Sequence, residues 1–300
     1  MNKPWLRYAL ITTVFWGVWG AFADFPTHHG FPDTMVYVVW ALTMIPPAVY
    51  AMRRVAWRVR LDPKSLLLGC LIGLMGAGGQ MLLFHAVHTG PAYLIFPIIA
   101  LSPVITISLS MLFRKERVTW MGGLGVALAL IALPLFNLSP APDAGGGSPP
   151  GVSWFLYALI ILFAWGVQAY FMKLANDTMD AENIFLYMTV TGLLLIPVAL
   201  WMTDFTVPIH YGWTGPGLAA ITQILNAVGA LMLVYALRYG RALVVAPLAN
   251  AGAPLITAVV SMIVLGVMPN AMTILAIVLA AAAAALLAIE PDEKLIEQPV

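Results

Sequence analysis

The chain has 300 residues, of which 62% are hydrophobic and only 9% charged, and its net charge is +1; its mean hydropathy is +0.93. A soluble domain carries roughly 45–50% apolar and about 25% charged residues, so lipid is expected to be the main solvent. The small net charge removes any electrostatic case for nucleic acid, and a single cysteine, Cys70, permits neither an intrachain disulfide nor a cysteine metal cluster.

A membrane-crossing helix needs about 20 largely apolar residues, since each residue rises about 1.5 Å through a hydrocarbon core about 30 Å thick. Ten segments qualify, at 5–23, 35–52, 65–87, 92–113, 118–136, 152–172, 184–202, 215–237, 242–265 and 271–289. The first follows Lys3 and Arg7 as a signal peptide would, but it holds three tryptophans and ends at Asp24 with no small-residue cleavage site, so it reads as a retained span. All 14 Lys and Arg fall on one side of a ten-span arrangement: Lys3, Arg7, Arg53, Arg54, Arg58, Arg60, Lys64, Arg114, Lys115, Arg117, Lys173, Arg238, Arg241 and Lys294. Cations are retained on the cytoplasmic side, so both termini are expected there, in the inner membrane of the cell. One missed or invented span would have scattered the later cations across both faces.

The stretch 137–151 carries Pro140, Pro142, Gly145, Gly146, Gly147, Pro149 and Pro150, cannot form a helix, and reads as an external linker. It divides the chain into a first five-helix unit (1–136), a second (152–289) and a short cytoplasmic tail (290–300). Sliding the second unit back by about 150 residues superimposes unusual positions. Trp16-Gly17-Val18 with Ala21 and Phe22 meets Trp165-Gly166-Val167 with Ala169 and Phe171. Tyr37 meets Tyr187, and Pro47 meets Pro197. His85-Ala86, Gly90, Ala92 and Pro97 meet Tyr235-Ala236, Gly240, Ala242 and Pro247, and Pro103 meets Pro254 after a one-residue slip. Five spans per repeat is an odd number, so the copies enter the membrane from opposite faces, the arrangement that underlies alternating access.

On these residues the chain resembles the drug/metabolite transporter superfamily, and within it the EamA-type members: five plus five spans, a Trp-Gly pair midway along the first helix of each half, a Gly-x-Ala turn opening the fourth, and a proline within that helix. The resemblance implies an all-α membrane carrier for a small solute, monomeric or weakly dimeric, with no cofactor and no enzymatic step. Family members often carry Leu-Gly-Glu after the fourth helix of each half. Here the first copy reads Arg114-Lys115-Glu116 and the second Leu265-Gly266-Val267, without an acid, so no symmetric pair of glutamates is implied.

Polar side chains lying mid-span are expected to face the bundle interior. The candidates for contact with solute are Trp16 and Trp19 on span one, Tyr37 and Trp40 on span two, Gln80 and His85 on span three, Trp165 and Gln168 on span six, Tyr187 on span seven, Gln223 and Asn226 on span eight, and Asn250 on span nine. Each has an alternative: Trp16 and Trp165 as packing, Gln223 and Asn226 as interhelical hydrogen-bond partners, and His85 as the cap of its helix. Trp5 and Trp201 fit an interfacial belt. Lys173 is expected to snorkel to the interface near Asp177, or else to meet solute. Gly69 and Gly73 read as close helix packing. Pro97 and Pro247 free backbone carbonyls or act as hinges.

No Asp or Glu lies mid-span, which disfavours a proton-coupled exporter of lipophilic cations. Cations are confined to span ends, which disfavours phosphorylated solutes. Indoles, phenols and amides suit a neutral or zwitterionic metabolite, amino-acid-like or sugar-like. A multidrug or toxic-metabolite exporter is the alternative, and a channel or receptor a lower one. No Gly-x-Ser-x-Gly or His-Glu-x-x-His pattern points to an enzyme or a metal site.

Overall fold

In the computed structural model, which describes residues 3–23, 25–89, 99, 101–117, 119–137, 153–265 and 271–289, the chain folds only into helices and their connections, with no strand among the described residues. Pro97, the linker from 138 onward and the 290–300 tail lie outside the described residues. The first half contains α1 (Pro4–Phe22), α2 (Asp33–Thr43), α3 (Ile45–Arg54), α4 (Pro63–Thr89), α5 (Ser102–Leu109) and α6 (Trp120–Asn137). The second contains α7 (Ser153–Ala175), α8 (Ala181–Leu194), α9 (Ile196–Met202), α10 (Leu218–Tyr239), α11 (Ala242–Leu265) and α12 (Ala271–Ile289).

Helix starts follow local chemistry. Pro4 and Pro63 open α1 and α4, where a missing backbone N–H costs nothing. Asp62 caps α4 by accepting the Ser65 N–H at 3.0 Å. The helical segments Asp33–Arg54 and Ala181–Met202 are each broken near the middle, at Met44 and at Leu195. Pro46 and Pro47 follow the first break and Pro197 the second; proline cannot donate to the turn before it, so the ladder is interrupted there. The repeat-matched prolines Pro47 and Pro197 thus mark matching breaks. Pro247, by contrast, lies inside α11 without ending it.

Six helical segments among the described residues are long and apolar enough to cross a membrane: Pro4–His28, Asp33–Arg54, Pro63–Ala86, Phe155–Ala175, Ala181–Met202 and Trp213–Tyr239. Shorter apolar helices run over Ser102–Arg114, Trp120–Ala132 and Ile274–Leu287. Large apolar side chains such as Leu10, Leu74, Ile160, Phe163, Ile221 and Ile263 are exposed on the helices, which water would not tolerate over so wide an area and lipid does. This is a multi-pass, all-helical membrane chain.

The two halves pack by exchange. The Trp16 indole of α1 lies on Gly229 of α10, and the Trp165 indole of α7 lies on Gly79 of α4. Thr257 Oγ1 donates to the Gly17 carbonyl at 2.8 Å, and Thr106 Oγ1 donates to the Gly166 carbonyl at 2.9 Å. Gly17 meets Ile256 and the Ala253 carbonyl, and Gly166 meets Ile105 and the Ser102 carbonyl. Every one of these contacts has a partner offset by about 150 residues. α1 therefore lies against α10 and α11, and α7 against α4 and α5, at glycines that have no Cβ to hold the helices apart.

One end of the bundle, which carries the Arg and Lys clusters, is tied together by polar contacts. Arg114 pairs with Asp177, and its Nε donates to Glu116 Oε1 at 3.3 Å. Glu116 Oε2 accepts the Leu243 N–H at 3.1 Å, which satisfies an open donor at the start of α11. Tyr235 donates to Glu182 Oε1 at 2.7 Å, with the Arg54 guanidinium 5.7 Å from the Tyr235 ring centre. Lys173 does not snorkel: it is 3% exposed and donates to the Gly240 carbonyl at 2.8 Å, leaving Asp177 to Arg114. Trp5 is likewise buried, against Gly240, whereas Trp201 is exposed as an interfacial ring should be. At the opposite end the cross-contacts are fewer among the described residues, chiefly Thr34 to Thr203 at 2.7 Å and His210 N–H to the Gly30 carbonyl at 3.1 Å.

Candidate solute-binding cavity

Between the halves lies a cavity of about 140 Å³, room for on the order of ten waters or a solute of similar heavy-atom count. Its wall is built by α1, α2, α4, α5, α7, α8, α10 and α11, and among the described residues that line it there is no ionisable side chain. Trp16, Trp19, Trp40, Gln80, Trp165, Gln168, Asn226 and Asn250 all line it. These eight sequence candidates, far apart in the chain, meet in one place.

The wall is organised around two amides of α10. Trp40 Nε1 donates to Asn226 Oδ1 at 2.9 Å, and Trp16 Nε1 donates to the Asn226 backbone carbonyl at 3.3 Å. Trp19 Nε1 donates to Gln223 Oε1 at 3.2 Å. Gln223 and Asn226, three residues apart, share one face of α10 and fix three indoles whose apolar surfaces then serve the cavity. The repeat-matched positions on α4 are Gly73 and Gly76. There the contact is reversed: Gln168 of α7 lies over Gly76 and Thr191 of α8 over Gly73. The amides stand on α10, and the repeat-matched positions of α4 are glycines that Gln168 and Thr191 cover.

The remaining candidates sit elsewhere. Gln223 is fully buried behind Trp19 and supports the wall without lining it. Tyr37 packs behind Trp40 and donates to the Gly192 carbonyl at 3.1 Å. Tyr187 covers Gly69 and donates to the Arg60 carbonyl at the basic end. His85 stands edge-on to Tyr157, with ring centres 5.3 Å apart. Gln80 is 5% exposed, and its Nε2 has no hydrogen-bond partner. A buried donor left unpaired costs about 1–3 kcal/mol, so the position calls for a physical reason.

Three wall contributors that sequence reasoning passed over are Thr106, Met172 and Met188. The first was discoverable, since Thr106 and Thr257 stand in register under the one-residue slip that aligns Pro103 with Pro254. The methionines carry no signal that separates a wall from ordinary core. Among the described residues no three His, Cys, Asp or Glu are grouped closely enough to hold a metal.

A model of the EamA-like transporter family matches residues 3–138 and matches again over residues 152–289. The chain belongs to the EamA-like transporter family. In this EamA-like chain the two matched copies are the two halves whose first helices are exchanged, and the cavity lies between them. An uncharacterised protein from Methanocaldococcus jannaschii is 32% identical over 78 residues, which cover 26% of this chain and 57% of that relative. The chain therefore spans a little over half the length of the curated relative it matches. A solved crystal structure shares the fold, with a TM-score of 0.76 at 15% identity, covering 94% of this chain and 98% of its own. At that identity the likeness concerns fold alone.

Proposed function

We propose that this EamA-like chain is an alternating-access carrier of a small neutral or zwitterionic metabolite, amino-acid-like or sugar-like. In this reading ten spans form two inverted repeats, flanking an external linker at 137–151 and followed by a cytoplasmic tail at 290–300. Both termini are cytoplasmic, the membrane is the inner one, and the working unit is a monomer or weak dimer in the lipid bilayer.

The observation that carries the reading is the uncharged cavity itself. An anionic phosphate would need a wall cation and a lipophilic cation a wall carboxylate; the described residues of the wall include neither. Rings and amides suit a solute with an apolar face and a few hydrogen-bonding groups. At about 140 Å³ the space lies below the roughly 300 Å³ at which drug-sized pockets begin, which favours a metabolite over a multidrug substrate. The basic end, tied by Glu116, Glu182, Lys173 and Asn176, acts in this reading as the closed inner gate, and the cavity faces the outside.

The test is a binding screen on detergent-purified protein, followed by tryptophan fluorescence and thermal unfolding, against amino acids, neutral sugars, quaternary ammonium compounds and phosphorylated sugars. A ligand at a hundredfold excess over its Kd raises apparent stability by about 2.7 kcal/mol. A neutral or zwitterionic solute should shift both signals, and Trp165→Ala should remove the shift. Binding of cations or phosphates alone overturns the reading.

A further inference from the structure

We propose that the turn joining α3 to α4, residues 55–62, together with the adjoining ends of those helices, binds the phosphate headgroup of an anionic phospholipid. The site is separate from the solute cavity, whose wall includes none of these residues. Five of the chain's 14 Lys and Arg fall here: Arg53, Arg54, Arg58, Arg60 and Lys64. All five are exposed. The single acid among them, Asp62, is engaged by the Ser65 N–H. Arg54 lies against the Tyr235 ring, and among the described residues none of Arg53, Arg58, Arg60 and Lys64 forms an ion pair with a carboxylate. From Trp57 to Asp62 apolar and charged residues alternate, and Trp57, Val59 and Leu61 are exposed beside the arginines.

A run of charge alone is a solvated face; this turn is also held in a fixed shape. Ala56 and Trp57 have φ of 50° and 58°, in the left-handed region, which is costly for residues with a side chain and persists where the surroundings impose it. The Trp57 N–H donates to the Met52 carbonyl at 2.9 Å and the Arg58 N–H to the Val55 carbonyl at 3.1 Å. Asn183 of α8, fully buried, accepts the Arg60 N–H at 2.9 Å and donates to the Arg58 carbonyl at 3.1 Å, and Tyr187 donates to the Arg60 carbonyl. With those backbone groups satisfied inside the protein, an anion is left to the guanidinium groups, whose planar forks match phosphate oxygens. A clamped backbone presents Arg58 and Arg60 with less freedom to lose on binding.

Two membrane-crossing segments, Asp33–Arg54 and Pro63–Ala86, end at this turn, so it stands at headgroup depth. There Trp57, Val59 and Leu61 enter the boundary with the acyl chains while the arginines meet phosphate. A free phosphate ion would use the arginines and leave the apolar side chains in water, which is why the mixture points to lipid.

The test titrates the full-length protein in detergent with phosphatidylglycerol and with phosphatidylcholine and counts bound lipid by native mass spectrometry. Each Lys or Arg near an anionic surface contributes about fivefold in affinity. The wild type should therefore prefer phosphatidylglycerol, and the double variant Arg58→Gln/Arg60→Gln should lose about 10- to 30-fold of that preference. Lys115→Gln/Arg117→Gln removes the same charge from the exposed connection between α5 and α6 and should change it by less than about threefold, since a built site is local. Asn183→Ala keeps every cation but releases the turn, and should weaken phosphatidylglycerol while leaving phosphatidylcholine unchanged. Should that variant fail to fold, the exposed arginine pair still decides the matter. Equal losses in the two double variants would mean diffuse charge and overturn the site, as would equal binding of the two lipids by the wild type. Displacement of bound phosphatidylglycerol by inorganic phosphate at matched concentration would assign the turn to a free anion and overturn the lipid.

Discussion

Asn226→Ala removes one of the two hydrogen bonds that residue 226 accepts from tryptophan and keeps the other. The lost bond is Trp40 Nε1 to Asn226 Oδ1 at 2.9 Å; the retained one is Trp16 Nε1 to the backbone carbonyl at 3.3 Å. Trp40 is 5% exposed, and stranding a buried donor costs about 1–3 kcal/mol, less where a cavity water takes the place of the lost acceptor. Asn226 lines an existing cavity, so the truncation enlarges a space already present and does not open a new void in packed core. Interhelical side-chain hydrogen bonds in membrane proteins couple by about 0.6 kcal/mol on average and up to about 1.7. A double-mutant cycle of Asn226→Ala with Trp40→Phe should therefore return about 0.5–1.5 kcal/mol of interaction. The parallel cycle with Trp16→Phe should return less than about 0.5, because that partner is backbone. Unfolding in mixed micelles, followed by circular dichroism, measures both. Equal coupling to the two tryptophans, or none to Trp40, would refute the wall as described.

Alanine at Gly229 would put a Cβ 2.5 Å from Trp16 Cδ1, and alanine at Gly79 would strike Trp165 in the same way. Each should destabilise by about 1–3 kcal/mol in a thermal melt, the cost of overpacking. Gly78→Ala, with nothing within 4 Å, should be neutral or stabilise by up to about 1 kcal/mol through helix propensity. Glu116→Ala leaves the Leu243 N–H without its acceptor and takes one of two carboxylates from Arg114, which keeps Asp177, and should cost about 1–3 kcal/mol, whereas Glu116→Gln should recover part of that loss. The Asp62 carboxyl is held below its ordinary value, first by the Ser65 backbone N–H. A lowered folded-state value means its support for the start of α4 is present above the unfolded carboxylate range, about pH 4, and is lost as pH falls through the folded value. Hydrogen exchange in the first turn of α4 should accelerate in that acid range in the wild type and show no such pH step in Asp62→Ala.

The helical, membrane-spanning character was legible because composition and twenty-residue apolar runs report the solvent directly. The repeat was legible in Trp16 and Trp165, Tyr37 and Tyr187, and Pro47 and Pro197, which mark the exchanged helices and the paired breaks. Mid-span polarity picked out Trp16, Trp19, Trp40, Gln80, Trp165, Gln168, Asn226 and Asn250 as a group, since a polar edge in hydrocarbon has to face inward. It could not rank them by depth. Tyr37 and Gln223 are as polar as the wall residues but stand one layer behind, where their bonds hold Gly192 and Trp19. Helix rotation of a few tens of degrees decides that, and a three- or four-residue period does not resolve it. Lys173 and Trp5 misled for a related reason. Snorkelling and interfacial preferences are averages over lone side chains, whereas both residues here meet the Gly240 turn, a tertiary feature that their own helices do not encode.

Uptake into proteoliposomes is the direct test of the cavity as the route of transport. A solute identified by the binding screen should accumulate in vesicles holding wild-type protein, saturate with concentration, and fail to accumulate with Trp165→Ala protein whose unfolding midpoint shows it remains folded. Uptake unchanged by Trp165→Ala, or a non-saturating flux at channel rates, would contradict a carrier that works through this site.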